Sequence, residues 1–202
     1  MLILNCEQLS PEWFQAKIGV PSAGSFDKII TTKGEPSKQR TNYMYQLAGE
    51  LVSGYKNESY TNFAMQRGVE LEADARKFFE FTQGVEVKQC GIVYPDENKK
   101  YGCSPDGLLD DAGLEIKSPL VHTHVAYLLD GKLPMDYFQQ VQGGMLCTGF
   151  DHWFFLLYYP GLAPLLIRVE RDDKFIEKLK AELDTFCAEL ATIVNKLRLL
   201  ER

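Results

Sequence analysis

Three residues between Tyr101 and Pro119 have the types and spacing for hydrolytic chemistry: Asp106, Glu115 and Lys117. In a strand, residues i and i+2 share a face, so Glu115 and Lys117 project together while Ile116 enters the opposite layer. The turn Asp110-Asp111-Ala112-Gly113 folds this strand back on the preceding one and brings Asp106 beside Glu115. Two carboxylates and an ammonium then surround one small volume. Hard divalent cations such as Mg²⁺ take carboxylate and water oxygens, and two acids so close repel unless a cation sits between them. Lys117 would orient or deprotonate a water, or stabilise negative charge developing on phosphorus. A solvated hairpin face can carry the same letters. Asp106, however, stands between Pro105 and Gly107, where the backbone must bend, and Glu115 between Leu114 and Ile116, in a strand buried on at least one face.

The flanking sequence predicts the elements that would hold these groups. Ser10, Pro11 and Glu12 read as a helix start, and Ser22 caps a second, short helix. A helix over 40–53 stops at Gly54, and a long one stops at Gly84 with Leu71, Ala75, Phe78 and Phe79 on one side. The period then changes to two. Strands are predicted over 85–95, over 99–109 with a bend at Pro105, and over 114–118. Two helices (120–131 and 134–149), two strands (152–160 and 163–171) and a strongly amphipathic last helix complete the order. This predicts a single α/β (α+β) domain over 1–202 with a central mixed sheet. Its helical N-terminal part covers about 1–84, its sheet core about 85–171 and its C-terminal helix about 172–200.

Composition narrows the function classes. The 202 residues are 45% hydrophobic, enough for a sizeable core. No run of eighteen apolar residues predicts a membrane span, and the N-terminus lacks a signal peptide's basic region and cleavage site, so the expected location is cytoplasmic. Cys6, Cys90, Cys103, Cys147 and Cys187 are scattered without a C-x-x-C pair, which disfavours disulfides, zinc and iron–sulfur clusters. His122 and His124 fall on a predicted helix, where their rings point apart. The net charge of −6 argues mildly against general electrostatic attachment to nucleic acid. Locally, Lys33, Lys38 and Arg40 surround a single Glu35.

The block "SPDG…LEIKSP" resembles the motif of the PD-(D/E)xK nuclease superfamily. With "GVELEADARKFFEFTQGVEV" upstream and "YFQQVQGGM" downstream, the chain is similar to the phage lambda-type alkaline exonucleases, the YqaJ-like viral recombinase family, over nearly its whole length. The resemblance implies a restriction-endonuclease-like core. It implies that Asp106, Glu115, the Ile116 carbonyl and Glu72 hold metal and that Lys117 is the catalytic lysine. Glu70 and Asp74 point elsewhere on the helix. Taken alone, Glu72 reads as a surface acid paired with Arg76 at i+4. Gln140 matches the glutamine that holds water or a phosphate oxygen, with Gln142 the runner-up. The family's 5′-phosphate pocket would begin in "AKIGVPSAGSF". There Lys17 replaces an expected arginine and loses its bidentate fork. Gly24 replaces an expected serine, with Ser22 and Ser25 as substitutes. Ser104 matches a hydroxyl donor. Trp13 is either a residue stacking at the duplex end or a core tryptophan.

The resemblance thus implies a Mg²⁺-dependent exonuclease, using two ions with Mn²⁺ able to substitute. It would digest double-stranded DNA ends from the 5′ side, as a homotrimer ring, beside a single-strand annealing protein. Lys17, Lys33, Lys38 and Arg40 would line part of the channel. The rivals are a PD-(D/E)xK nuclease of other polarity, such as the Cas4-like enzymes, and a relative that binds DNA without cutting. A two-carboxylate glycosidase leaves Lys117 and Glu72 without a role.

Overall fold

The computed structural model describes residues 1–56 and 63–200. Strand β1 (Leu2–Leu4) precedes helix α1 (Pro11–Ala16), a 3-10 helix (Ala23–Lys28), α2 (Arg40–Ser53) and α3 (Phe63–Gln83). There follow β2 (Ile92–Tyr94), β3 (Gly107–Leu108), β4 (Ala112–Lys117), α4 (Val121–Asp130), α5 (Phe138–Thr148), β5 (His152–Leu157), β6 (Leu165–Glu170) and α6 (Asp173–Leu200).

The helix ends follow local chemistry. Ser10 caps α1 by accepting from the Trp13 amide, with Pro11 in the first turn. Gly54 and Gly84 close α2 and α3 in the left-handed conformation that glycine adopts without a Cβ penalty. The central sheet has the order β3-β4-β5-β6, with β4 and β5 parallel and both outer pairs antiparallel. A mixed sheet flanked by helices is the expected architecture.

The region before β4 departs from expectation. The predicted strand over 85–95 contributes only β2, and that strand pairs with β1 in a separate antiparallel ribbon. The predicted strand over 99–109 is broken: Cys103 bridges Val93, and only Gly107–Leu108 joins β4. Pro105 has no amide proton to donate to a ladder, so the chain leaves strand geometry there. The short helix after Ser22 is 3-10 rather than α, and β4 begins at Ala112, inside the predicted turn.

Alternation along β4 and β5 sorts the core into two layers. Leu114, Ile116 and Leu156 face α3 with Ala75 and Phe79. Trp153, Phe155 and Leu157 face the other way, into a larger core with Val141 of α5 and Leu179 and Phe186 of α6. Glu115 and Lys117 share this second side by the same alternation. Helix α5 comes close to it because Gly144 and Gly113 both lie against the Trp153 ring. A Cβ would stand 2.5 Å from that ring at Gly144 and 2.3 Å at Gly113.

Candidate active site

The β3–β4 hairpin is the root of the site. Register places Gly107 opposite Leu114, so Asp106 comes beside Glu115. The Asp106 amide donates to the Leu114 carbonyl (3.1 Å), and Asp106 Oδ2 accepts from the Ile116 amide (2.6 Å). Glu115, only 4% exposed, accepts from Lys117 Nζ at 2.5 Å and from Gln140 Nε2 of α5. Gln140 stands one turn before Gly144, so the close approach of α5 delivers it to the acid.

Glu72 comes to the same corner from α3, near enough to Asp106 and Lys117 to feel both charges. Its carboxylate pairs with Arg76, whose Nε donates to the Asp106 carbonyl at 3.1 Å. With its amide turned to suit, Gln89 accepts from the Arg76 terminal nitrogens at 2.9 and 3.1 Å. The i+4 pairing and the proximity to Asp106 therefore hold together. Glu70 and Asp74 are exposed on the outer face of α3.

The electrostatics are those of crowded acids. Burial, with Asp106 and Glu72 adding to it against Lys117, pushes Glu115 up to about 7. Burial and then Asp106 push Glu72 up to about 7 against Arg76. Burial raises Asp106 as well, opposed by Lys117 and the Ile116 amide. Burial works against the Lys117 charge, but Glu115 and Asp106 outweigh it and hold its ammonium above the usual lysine range. Among the described residues no three His, Cys, Asp or Glu side chains stand close enough together to ligate one ion. The donor set still suits a hard cation in type. Asp106 and Glu115 supply adjacent carboxylates whose mutual repulsion an ion relieves, with Glu72 and the Ile116 carbonyl as further oxygens.

Beside the acids lies a cavity of about 130 Å³ whose wall includes Lys17, Ser22, Gly24, Ser104, Glu115 and Gln140. A parallel bridge between Ser22 and Gly102 brings the two serine segments together. Trp13 is buried at 8% exposure, and its indole N–H donates to the Gly91 carbonyl and Ser104 Oγ, both at 3.1 Å. Its edge is thus committed to the core, while its face carries Lys17 Nζ 4.0 Å from the ring centroid. Burial, and then the neighbouring Lys56, lowers Lys17 to about 8.

Other expected residues stand elsewhere. Ser25 lies beside the Tyr43 hydroxyl, off the cavity wall. Gln142 donates to the Glu170 carbonyl and accepts from the Asp172 amide, both at 2.9 Å, which leaves Gln140 as the glutamine at the acids. Arg40 is bound by Glu182 (2.5 Å) and Glu189 (2.7 Å) of α6, and Gly34 packs on Lys178, so the 33–40 segment lies along that helix. Lys33 and Lys38 are exposed. His124 is buried against the Ala163 carbonyl while His122 faces outward. Sequence reasoning missed Lys56, which no motif marks, and the reach of Arg76 to Asp106 and Gln89. Only the i+4 spacing from Glu72 pointed to Arg76.

A family model described as the YqaJ-like viral recombinase domain matches residues 12–151. Among solved structures, an alkaline exonuclease (LHK-Exo) from Laribacter hongkongensis is 32% identical, with a TM-score of 0.86 over 95% of this chain and 98% of that one. The same figures hold for its complex with dAMP. A phage-related exonuclease from Haemophilus somnus 129PT, at 17% identity and a TM-score of 0.69 over 88% of this chain and 96% of that one, shares the fold. No curated protein gives a significant match.

Proposed function

This chain belongs to the YqaJ-like viral recombinase family, and we propose that it is an alkaline-exonuclease-type deoxyribonuclease that digests linear double-stranded DNA from the 5′ end. It releases 5′-mononucleotides and leaves a 3′ single strand for an annealing partner. It works with Mg²⁺ and as a homotrimeric ring, as its sequence resemblance implies. The observation that carries this reading is the meeting of Asp106, Glu115, Lys117 and Gln140, with Glu72 near Asp106 and Lys117, beside a small lysine-lined cavity.

Asp106, Glu115, Glu72 and the Ile116 carbonyl would hold the metal, which supplies positive charge at the phosphoryl group and acidifies water when bound. Lys117, whose charged form Glu115 and Asp106 favour in the metal-free protein, supplies a positive charge at the site. Glu115 aims its ammonium, and the remaining N–H groups meet charge developing on the scissile phosphoryl oxygens. Gln140 fixes the Glu115 carboxylate from the α5 side and offers its amide to water or a phosphate oxygen. The cavity beside them holds the terminal phosphate one step from the acids.

The test compares 5′-phosphorylated and 5′-hydroxyl linear duplexes, with Mg²⁺ or EDTA, for wild type and Lys117→Ala. Loss of the phosphorylated strand only with Mg²⁺ and only in wild type is the expected result. Digestion from the 3′ end, or none at any end by folded wild type with Mg²⁺, refutes the reading.

A further inference from the structure

A second cation that no motif marks stands over Trp13, a wall residue of the cavity beside the acids. Lys56, just beyond the end of α2, places Nζ 5.1 Å from the Trp13 ring centroid and 5.4 Å from that of Phe14. Lys17 Nζ stands 4.0 Å from the same Trp13 centroid. Two ammonium groups therefore converge on one indole. Like charges gathered in a half-buried place raise each other's energy, and Lys56 is one of the causes that lower Lys17. Among the described residues no carboxylate is within ion-pair distance of either lysine.

Two hydroxyls of the wall suit an anion, and Glu115, the carboxylate on that wall, is already held by Lys117 and Gln140. Because Ser104 Oγ already accepts from the Trp13 indole, its own proton is free to donate into the cavity. Ser22 adds a second hydroxyl. The cavity, at about 130 Å³, has roughly the volume of four waters, which is room enough for a phosphoryl group. Phe14, 40% exposed and edge-on to Trp13 at 5.0 Å, stands beside Lys56.

We infer that Lys17 and Lys56 form a two-lysine clamp across Trp13 that takes the terminal 5′-phosphate monoester, with Lys56 supplying the second positive contact. The inference rests on the reading of this chain as a 5′-end nuclease. It explains how a pocket with lysine in place of the family's arginine has two cationic contacts: two separate ammonium groups replace one guanidinium fork. It also gives Trp13 a function in its buried position, as the shared floor on which both cations rest.

The experiment measures binding of 5′-phosphorylated and 5′-hydroxyl duplex ends in EDTA, so that no cutting intervenes. Wild type, Lys56→Gln, Lys56→Arg, Lys17→Gln and the double Gln variant are compared, with thermal melts to check folding. Wild type should favour the phosphorylated end. Lys56→Gln should reduce that preference about tenfold, the effect of one charge-assisted hydrogen bond, and Lys56→Arg should keep most of it. The double variant should lose less than the combined single losses, since both lysines hold one group. An unchanged preference in Lys56→Gln, or equal weakening for both kinds of end, overturns the clamp while the nuclease reading stands. A wild type that does not distinguish the ends removes the clamp together with 5′-end polarity, and the Mg²⁺-dependent digestion assay then tests the nuclease separately.

Discussion

Removing a buried acid from the proposed active site should make the metal-free protein more stable. Glu115 is moved from 4.5 to about 7 in the fold, first by burial. A carboxyl whose folded value is raised favours the folded state at pH below 4.5, and that contribution is lost as pH rises through about 7. Above pH 8 the difference amounts to about 3 kcal/mol against folding. Glu115→Gln removes this term while keeping the shape and one oxygen able to accept from Lys117. Lys117 keeps Asp106 as a counter-charge. In EDTA at pH 8.5 the variant should therefore exceed wild type by up to about 3 kcal/mol, or roughly 5–10 °C in Tm for a chain of this size. At pH 5.5 the gain should fall to about 1 kcal/mol.

Urea and thermal unfolding at the two pH values measure this directly. Mg²⁺ should raise the Tm of wild type at pH 8.5 and do much less for Glu115→Gln, because the repulsion that an ion relieves is already gone. A variant less stable than wild type at pH 8.5 refutes the reasoning. It would mean that the contact between Lys117 and Glu115 at 2.5 Å contributes more than burying the charge costs.

Two further perturbations test how the site is held. Arg76→Ala strips Glu72 of its partner and leaves the Asp106 carbonyl and the Gln89 amide without a donor. Unfolding free energy should fall by about 2–4 kcal/mol, and Arg76→Lys should recover little of it because an ammonium cannot make the fork. Gly144→Ala puts a Cβ against the Trp153 ring. It should cost about 1–3 kcal/mol and lower nuclease activity by moving Gln140, whereas Gly24→Ala, with no atom nearer than 3.8 Å, should melt like wild type.

The parts legible in the sequence are those whose causes are local. Ser10 with Pro11, Gly54 and Gly84 mark helix ends through a cap bond or a positive φ, and the structure places the ends there. Asp106, Glu115 and Lys117 belong to one hairpin, so spacing and a turn suffice to bring them together. The 85–109 region was harder. Alternation reports which side of a segment is buried and not which strand it pairs with, so β2 was assigned to the central sheet when its partner is β1. Glu72 and Gln140 are far from the hairpin in sequence and came only through family resemblance. Lys56 had no signal at all, because its meaning depends on where the end of α2 lies relative to a ring more than forty positions earlier.

Net charge is a poor guide to what such a chain can hold. The total of −6 is an average over surfaces that do not share a ligand. Along α6, Glu182 and Glu189 are matched by Arg40, and Lys180 is matched by Asp184. Those charges are spent on the protein itself, and the 33–40 segment that looked basic in sequence gives its arginine to that face. Around Trp13 the balance runs the other way, with two ammonium groups over its ring and two hydroxyls on the wall of the cavity it lines. Of the crowded acids, Glu115 lies on the wall of that cavity. A protein that grips one terminal phosphate needs a positive field over a few ångströms, since charges further away than about 8–10 Å are screened at physiological salt. An acidic surface elsewhere is compatible with that grip. What decides it is that the lysines converge while the carboxylates that act on them are tied elsewhere, Glu115 to Lys117 and Gln140, and Glu50 to Gln46 and the Gly19 amide.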